Sequence, residues 1–218
     1  MGLQKSLNII YVLNIHMTAK NIQLNFTPLE IEIVKFLFKH YQDKYNARQL
    51  SRILKINHAH ANKLCNLLTK KQLLVKEDLG NSAYFSFNYN FDLANRFIEY
   101  ALSQENFPAW LLVPLHSLVK FSNLIEFGII FGSSVKIRDF NDIDVLLAYD
   151  GSKSKEISKI KDEIRKSGII IKPIRYVDIA WKDLSLNKKE KVFYSIMSES
   201  LVFYNPLKYA EAVRECRK

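Results

Sequence analysis

Cysteine is nearly absent: Cys65 and Cys216, far apart, are the only two in 218 residues. That excludes a small scaffold stapled by disulfides, and the pair reads as two unpaired thiols in a reducing compartment. A long apolar run is missing as well. The most membrane-like stretch, Leu7 to Ile15, is far shorter than the roughly 18 to 20 apolar residues of a span, and no small-residue cleavage site follows it. The expectation is a soluble cytoplasmic protein, with that stretch packed on the first domain as a helix or strand and open to a homodimer contact. Repeats and low-complexity segments are also lacking, so the two halves of the chain read as different domains.

One stretch lacks acid. Between Lys44 and Lys76 lie eight basic residues and no Asp or Glu, while Asp43 and Glu77 stand immediately on either side. The chain carries a net charge of +10 and a pI near 9.4, which favours an acidic partner such as nucleic acid or a nucleotide. Its 48% hydrophobic and 25% charged residues are ordinary for a globular protein. The length leaves room for two small domains, each with a core.

Helix signals open the first half. Thr27 fits a capping position, Pro28 the first helical position, and Glu30 stands three residues after the cap. Leu29, Ile33, Phe36 and Leu37 then recur on one helical face. A second helix fits 47–54, with Leu50, Ile53 and Leu54 inward and Arg48 and Arg52 outward. A third begins at Asn57 or His58, with Ala61, Leu64, Cys65 and Leu68 as its buried stripe. Residues 73–87 read as two strands joined by a turn at Gly80-Asn81.

Three helices followed by a hairpin is the order of a winged helix-turn-helix. On that motif a one-signed patch neutralises phosphates, so double-stranded DNA is the expected partner. The candidate contacts are Arg48, Arg52, His58, His60, Asn62, Lys63, Asn66, Lys70 and Lys71, and the third helix is best placed to reach base edges. His58 and His60 point about 200° apart on a helix, which discounts them as ligands of one ion.

Residues 91–123 read as a helical connector. Phe91, Ala94, Phe97, Ile98 and Ala101 form a stripe, Phe107-Pro108 and Val113-Pro114 punctuate it, and a further helix fits 115–123. After Asp150 a charged amphipathic helix runs from Gly151-Ser152 to about Ser167, burying Ile157, Ile160 and Ile164. In the apolar region 169–181, Pro173 argues for an edge strand or a break. A helix over 188–200 turns Val192, Phe193 and Ile196 inward, 201–204 is a short apolar run, and Pro206 opens a closing helix. Alternating strands and helices make this half α/β.

The densest chemistry lies within 129–148. An apolar strand ends at Gly132-Ser133, a polar turn follows, and Asp142-Ile143-Asp144 opens a second apolar strand. Side chains on a strand alternate with period two, so Asp142 and Asp144 share a face and can hold a divalent cation together. Gly132 and Ser133 let a backbone and a hydroxyl approach a phosphate.

These residues resemble the signature of minimal nucleotidyltransferase domains, the small relatives of DNA polymerase beta and kanamycin nucleotidyltransferase. That signature is a Gly-Ser after one strand, Asp-x-Asp on the next, and a third Asp on a later strand. The resemblance covers roughly residues 124–204. It implies Asp142, Asp144 and Asp178 as catalytic carboxylates on a two-ion Mg²⁺ site that also accepts Mn²⁺, with Asp183 the other candidate for the third position. It implies Gly132, Ser133 and Ser134 on the phosphates of an NTP, and Lys136 and Arg138 on its charge. The spacer from Ser133 to Asp142 is eight residues, shorter than the family's usual one, and Val135-Lys136-Ile137 replaces the usual Ala-Arg-Gly.

The expected architecture is α+β in two domains. A winged helix-turn-helix covers 1–90, the connector 91–123, and an α/β nucleotidyltransferase fold with a small mixed sheet 124–218. Three functions follow from that plan. One is a Mg²⁺-dependent transferase moving a nucleoside monophosphate from an NTP onto an acceptor, protein and RNA included. Another is a DNA-binding transcriptional regulator whose second domain senses a nucleotide without turning it over. The third is an antitoxin-like protein that holds or modifies a partner.

Overall fold

The structure, a computed structural model, describes residues 26–170, 172–186 and 190–217. The apolar stretch 7–15 lies outside them. The described chain is mixed α+β, with eight α-helices and two small sheets.

Helix α1 (Pro28–Lys39) starts where its cap residues dictate. The Thr27 hydroxyl accepts from the Glu30 N–H at 3.3 Å, and the Glu30 carboxylate accepts from the Thr27 N–H at 2.8 Å. β1 (Tyr45–Asn46), α2 (Ala47–Ile53), α3 (His58–Lys70), β2 (Leu74–Leu79) and β3 (Ser82–Phe87) follow. β2 and β3 form an antiparallel hairpin turning at Gly80, and β1 pairs with the far side of β3. Ala61, Leu64, Cys65 and Leu68 are buried together, as their spacing predicts, against Leu50 of α2 and Ile33, Leu37 and Phe38 of α1. Ile53 departs from expectation. It is the last residue of α2, is 45% exposed, and lines a cleft shared with Val135 and Lys136.

Helix α4 (Asp92–Ser103) buries the expected stripe Ala94, Phe97, Ile98 and Ala101. α5 (Leu112–Leu118) begins earlier than its proline suggests. Pro114 sits in the first turn, where an N–H has no intrahelical partner to lose.

A second sheet is built from β4 (Phe127–Phe131), β5 (Ile143–Tyr149), β6 (Ile174–Ala180) and β7 (Leu201–Tyr204), in the order β6-β5-β4-β7. α6 (Ser154–Ser167) carries the chain from β5 to β6, and that crossover makes the pair parallel. The other two pairings are antiparallel, so the sheet is mixed. Pro173 directly precedes β6, which is an edge strand, where a missing N–H is tolerated. α7 (Lys191–Ser198) exposes Val192 at 70% and buries Phe193 and Met197. Its apolar stripe therefore runs through 193, 196 and 197. α8 (Pro206–Arg217) closes the described chain.

Both faces of the second sheet are covered. Ile143, Val145 and Leu147 pack with Ile157 and Ile164 of α6 and with Phe121. Phe127, Ile129, Leu146 and Ala148 belong to a core that continues through Tyr209 and Val213 of α8 into α4, α1 and the hairpin. The two halves of the chain thus share one apolar core. Cys65 and Cys216 are both buried in it, and no disulfide forms among the described residues. Among those residues no helix is long and apolar enough to cross a membrane.

Candidate functional site

Antiparallel pairing sets Phe131, the last residue of β4, opposite Asp144 near the start of β5. The turn after β4 and the Asp142-Ile143-Asp144 segment therefore meet at one end of the sheet. Gly132 crosses that end with φ 79° and ψ −155°. A Cβ on it would lie 2.4 Å from Asp144 Oδ2, so only glycine lets the backbone pass this close to the carboxylate. Asp142 stands just before β5, on the same side as Asp144 by strand alternation, and is 8% exposed. Burial raises the Asp144 carboxyl above its ordinary value, the neighbouring charge of Asp142 adds to that, and Arg175 opposes both.

The turn residues divide by role. Ser133 is exposed, and its carbonyl accepts from the N–H groups of Lys136 and Ile137, each at 3.0 Å. Ser134 is fully buried: its hydroxyl donates to the Phe131 carbonyl at 3.3 Å, and its own carbonyl accepts from Trp110 Nε1 at 2.9 Å. Its hydroxyl therefore braces the turn. Lys136 is paired with Glu199 across the cleft. Arg138 is exposed, with no ion pair among the described residues.

Asp178 does not join Asp142 and Asp144. The parallel register sets Arg175 level with Asp144, and Asp178 level with Leu147. Three residues along a strand amount to about 10 Å and an inversion of face. Asp178 accordingly lies on the α6 side, where Lys161 Nζ donates to both its oxygens at 2.6 and 2.5 Å. Asp183 is further on, in the short turn Trp181–Leu186. Beside the two carboxylates stands a guanidinium instead, with Arg175 Nε 2.8 Å from Asp142 Oδ2. Asp142 and Asp144 thus have Arg175 beside them where the resemblance implied the third carboxylate, Asp178. Among the described residues no group of three His, Cys, Asp or Glu side chains converges as a metal site.

The basic stretch forms a second candidate surface. Arg48 and Arg52 of α2, Lys55 after it, and Lys63 and Lys70 of α3 are exposed and take part in no ion pair among the described residues. His60, Lys63 and Lys70 share one exposed stripe of α3. Asn62 and Asn66 occupy the next one, the Asn66 amide donating to the Asn62 side chain at 3.1 Å. His58 opens the helix, exposed. Lys71 leaves this surface: it turns back onto α1, 2.7 Å from Glu30 Oε1, with its ammonium over the Phe26 ring. Lys44 and Lys76 are engaged by Glu77 and Asp78 of the hairpin.

Comparisons with known proteins give no match among family models, curated proteins or solved structures.

Arg175 is the site residue that sequence reasoning passed over. A signal for it existed in Pro173, which forces β6 to begin at Ile174. A parallel neighbour that starts there meets the start of β5 with its first residues, not with Asp178 in its middle. Lys161 was equally hidden, because only the packing of α6 on the sheet brings it to Asp178.

Proposed function

We propose that this chain is a DNA-binding protein in which a winged helix-turn-helix is followed by a nucleotidyltransferase-like unit that binds a nucleotide without transferring it. Support for the first part comes from the order helix, strand, helix, helix, hairpin and from the unneutralised cations of α2 and α3. Support for the nucleotide comes from Gly132, whose backbone passes directly over Asp144, from exposed Ser133 beside it, and from Lys136, Arg138 and Arg175 as sources of positive charge.

The observation that carries the absence of transfer is Arg175. Phosphoryl and nucleotidyl transfer rely on charge stabilisation at the attacking and leaving oxygens, and a third carboxylate helps to hold the ions that supply it. Level with Asp144 this chain has a guanidinium, and its nearest further carboxylate on β6 is tied to Lys161 on the other face. A planar guanidinium is suited to gripping phosphate oxygens.

The test is to measure binding of each NTP by calorimetry and, separately, pyrophosphate release with Mg²⁺ or Mn²⁺ and protein, RNA or DNA present. The expected result is saturable binding, weakened about tenfold or more by Arg175→Ala through loss of a charge-assisted contact, and no pyrophosphate. Pyrophosphate release that vanishes in Asp142→Ala with Asp144→Ala would replace this reading with that of an active Mg²⁺-dependent transferase.

A further inference from the structure

We infer that Arg175 is a built-in cation that closes the Asp142–Asp144 pair to divalent metal. The inference rests on the reading of the site given above for what the pair belongs to, but its argument is the arrangement of charge. Two carboxylates on one side of a sheet end, one of them flanked by a glycine backbone, are the donor set on which a hard divalent ion would sit. An ion there would have to share Asp142 with the Arg175 Nε only 2.8 Å from its Oδ2.

Two properties make Arg175 an effective plug. A guanidinium is a planar, delocalised cation whose N–H groups match carboxylate oxygens. It is also anchored at one point and largely open. Nε lies 2.8 Å from Asp142 Oδ2, the Asp142 side chain is 12% exposed, and that of Arg175 is 72% exposed, so most of the Arg175 side chain stays open to solvent. A ligand oxygen can then meet the guanidinium directly, where a metal-dependent site would interpose an ion.

Mn²⁺ alone is the probe, titrated into the full chain at neutral pH and followed by electron paramagnetic resonance of the free ion. No nucleotide enters the titration, so its outcome leaves the nucleotide reading to its own test. Wild type is expected to bind Mn²⁺ no better than a variant carrying Asp142→Asn and Asp144→Asn. Arg175→Asp is expected to gain one site at least about tenfold tighter, because it exchanges a positive charge for a third carboxylate. That site should disappear when Asp142→Asn and Asp144→Asn are added. Arg175→Gln, which removes the charge and keeps the polarity, should show an intermediate gain, and it carries the test if Arg175→Asp does not fold by circular dichroism. Stoichiometric Mn²⁺ binding by wild type that depends on Asp142 and Asp144 overturns the inference. So does the failure of both folded Arg175 variants to gain a site, since something other than Arg175 would then be keeping metal out.

Discussion

Glu30 is buried, yet its setting favours the charged form. Burial pushes its carboxyl up, but the Lys71 ammonium and the Thr27 N–H and hydroxyl outweigh that and hold it below the ordinary 4.5. The same carboxylate caps α1 through Oε2 and receives Lys71 of the α3 terminus at Oε1. One side chain thus ties the first helix to the third. Glu30→Gln should lower stability by roughly 1 to 2 kcal/mol at neutral pH, the range of a lost cap and one charged hydrogen bond. Because the folded pKa is depressed, this contribution is present above the unfolded value and lost as pH falls through the folded one. Urea denaturation of both proteins should therefore show a gap at pH 7 that narrows below pH 4.5. A gap that stays constant down to pH 3 would mean the carboxylate charge contributes nothing.

The exposed cations of α2 and α3 differ from Lys71, at the C-terminal cap of α3, and the proposed DNA contact falls on the first group. Arg52 and Lys63 are exposed without an ion pair among the described residues, whereas Lys71 is bound to Glu30. Replacing Arg52 and Lys63 together by alanine should weaken duplex DNA binding and flatten the dependence of log affinity on log salt by about two units, one for each phosphate contact removed. Lys71→Ala should leave that slope unchanged and lower the melting temperature instead. A double variant with wild-type affinity would remove this face as the DNA surface.

The same elements mark how far the sequence could be read. The start of α1, the stripe of α3 and the hairpin turn were legible because each is set by contacts three or four residues apart or by a single turn. Ile53 and Val192 were misread because which flank of a short helix is covered depends on neighbours distant in sequence. The candidate site was half legible for a related reason. Gly132, Asp142 and Asp144 lie at or beside the facing ends of two consecutive strands, while the partner of Asp144 on β6 is fixed by a crossover through α6. A shift of three residues in that register decides between Asp178 and Arg175.

At the scale of the whole molecule the two halves are joined by charge as well as by the shared core. The Glu105 side chain, 4% exposed, sits between Lys35 and Lys39 of α1, and Lys39 Nζ also donates to the Ser200 carbonyl at 2.7 Å, just ahead of β7. Burial draws the Lys39 ammonium below its ordinary value, and Glu105 is the charge that opposes this. Glu105→Gln leaves the buried Lys39 ammonium without its carboxylate, while Lys35 keeps Glu32 at 2.8 Å, and a buried ion pair that loses one partner costs roughly 3 to 5 kcal/mol. Adding Lys39→Met should restore part of the loss. The distribution of tryptophan makes the consequence for the whole chain measurable. Trp110 donates to the Ser134 carbonyl in the candidate site and Trp181 packs on Phe127 of β4, so indole fluorescence reports the second half alone. Far-ultraviolet circular dichroism reports helices from both halves. If the common core couples them, Glu105→Gln should move the fluorescence and dichroism midpoints in urea together and by the same amount. A dichroism midpoint that falls while the fluorescence midpoint stays in place would show that the halves unfold independently despite the apolar core they share.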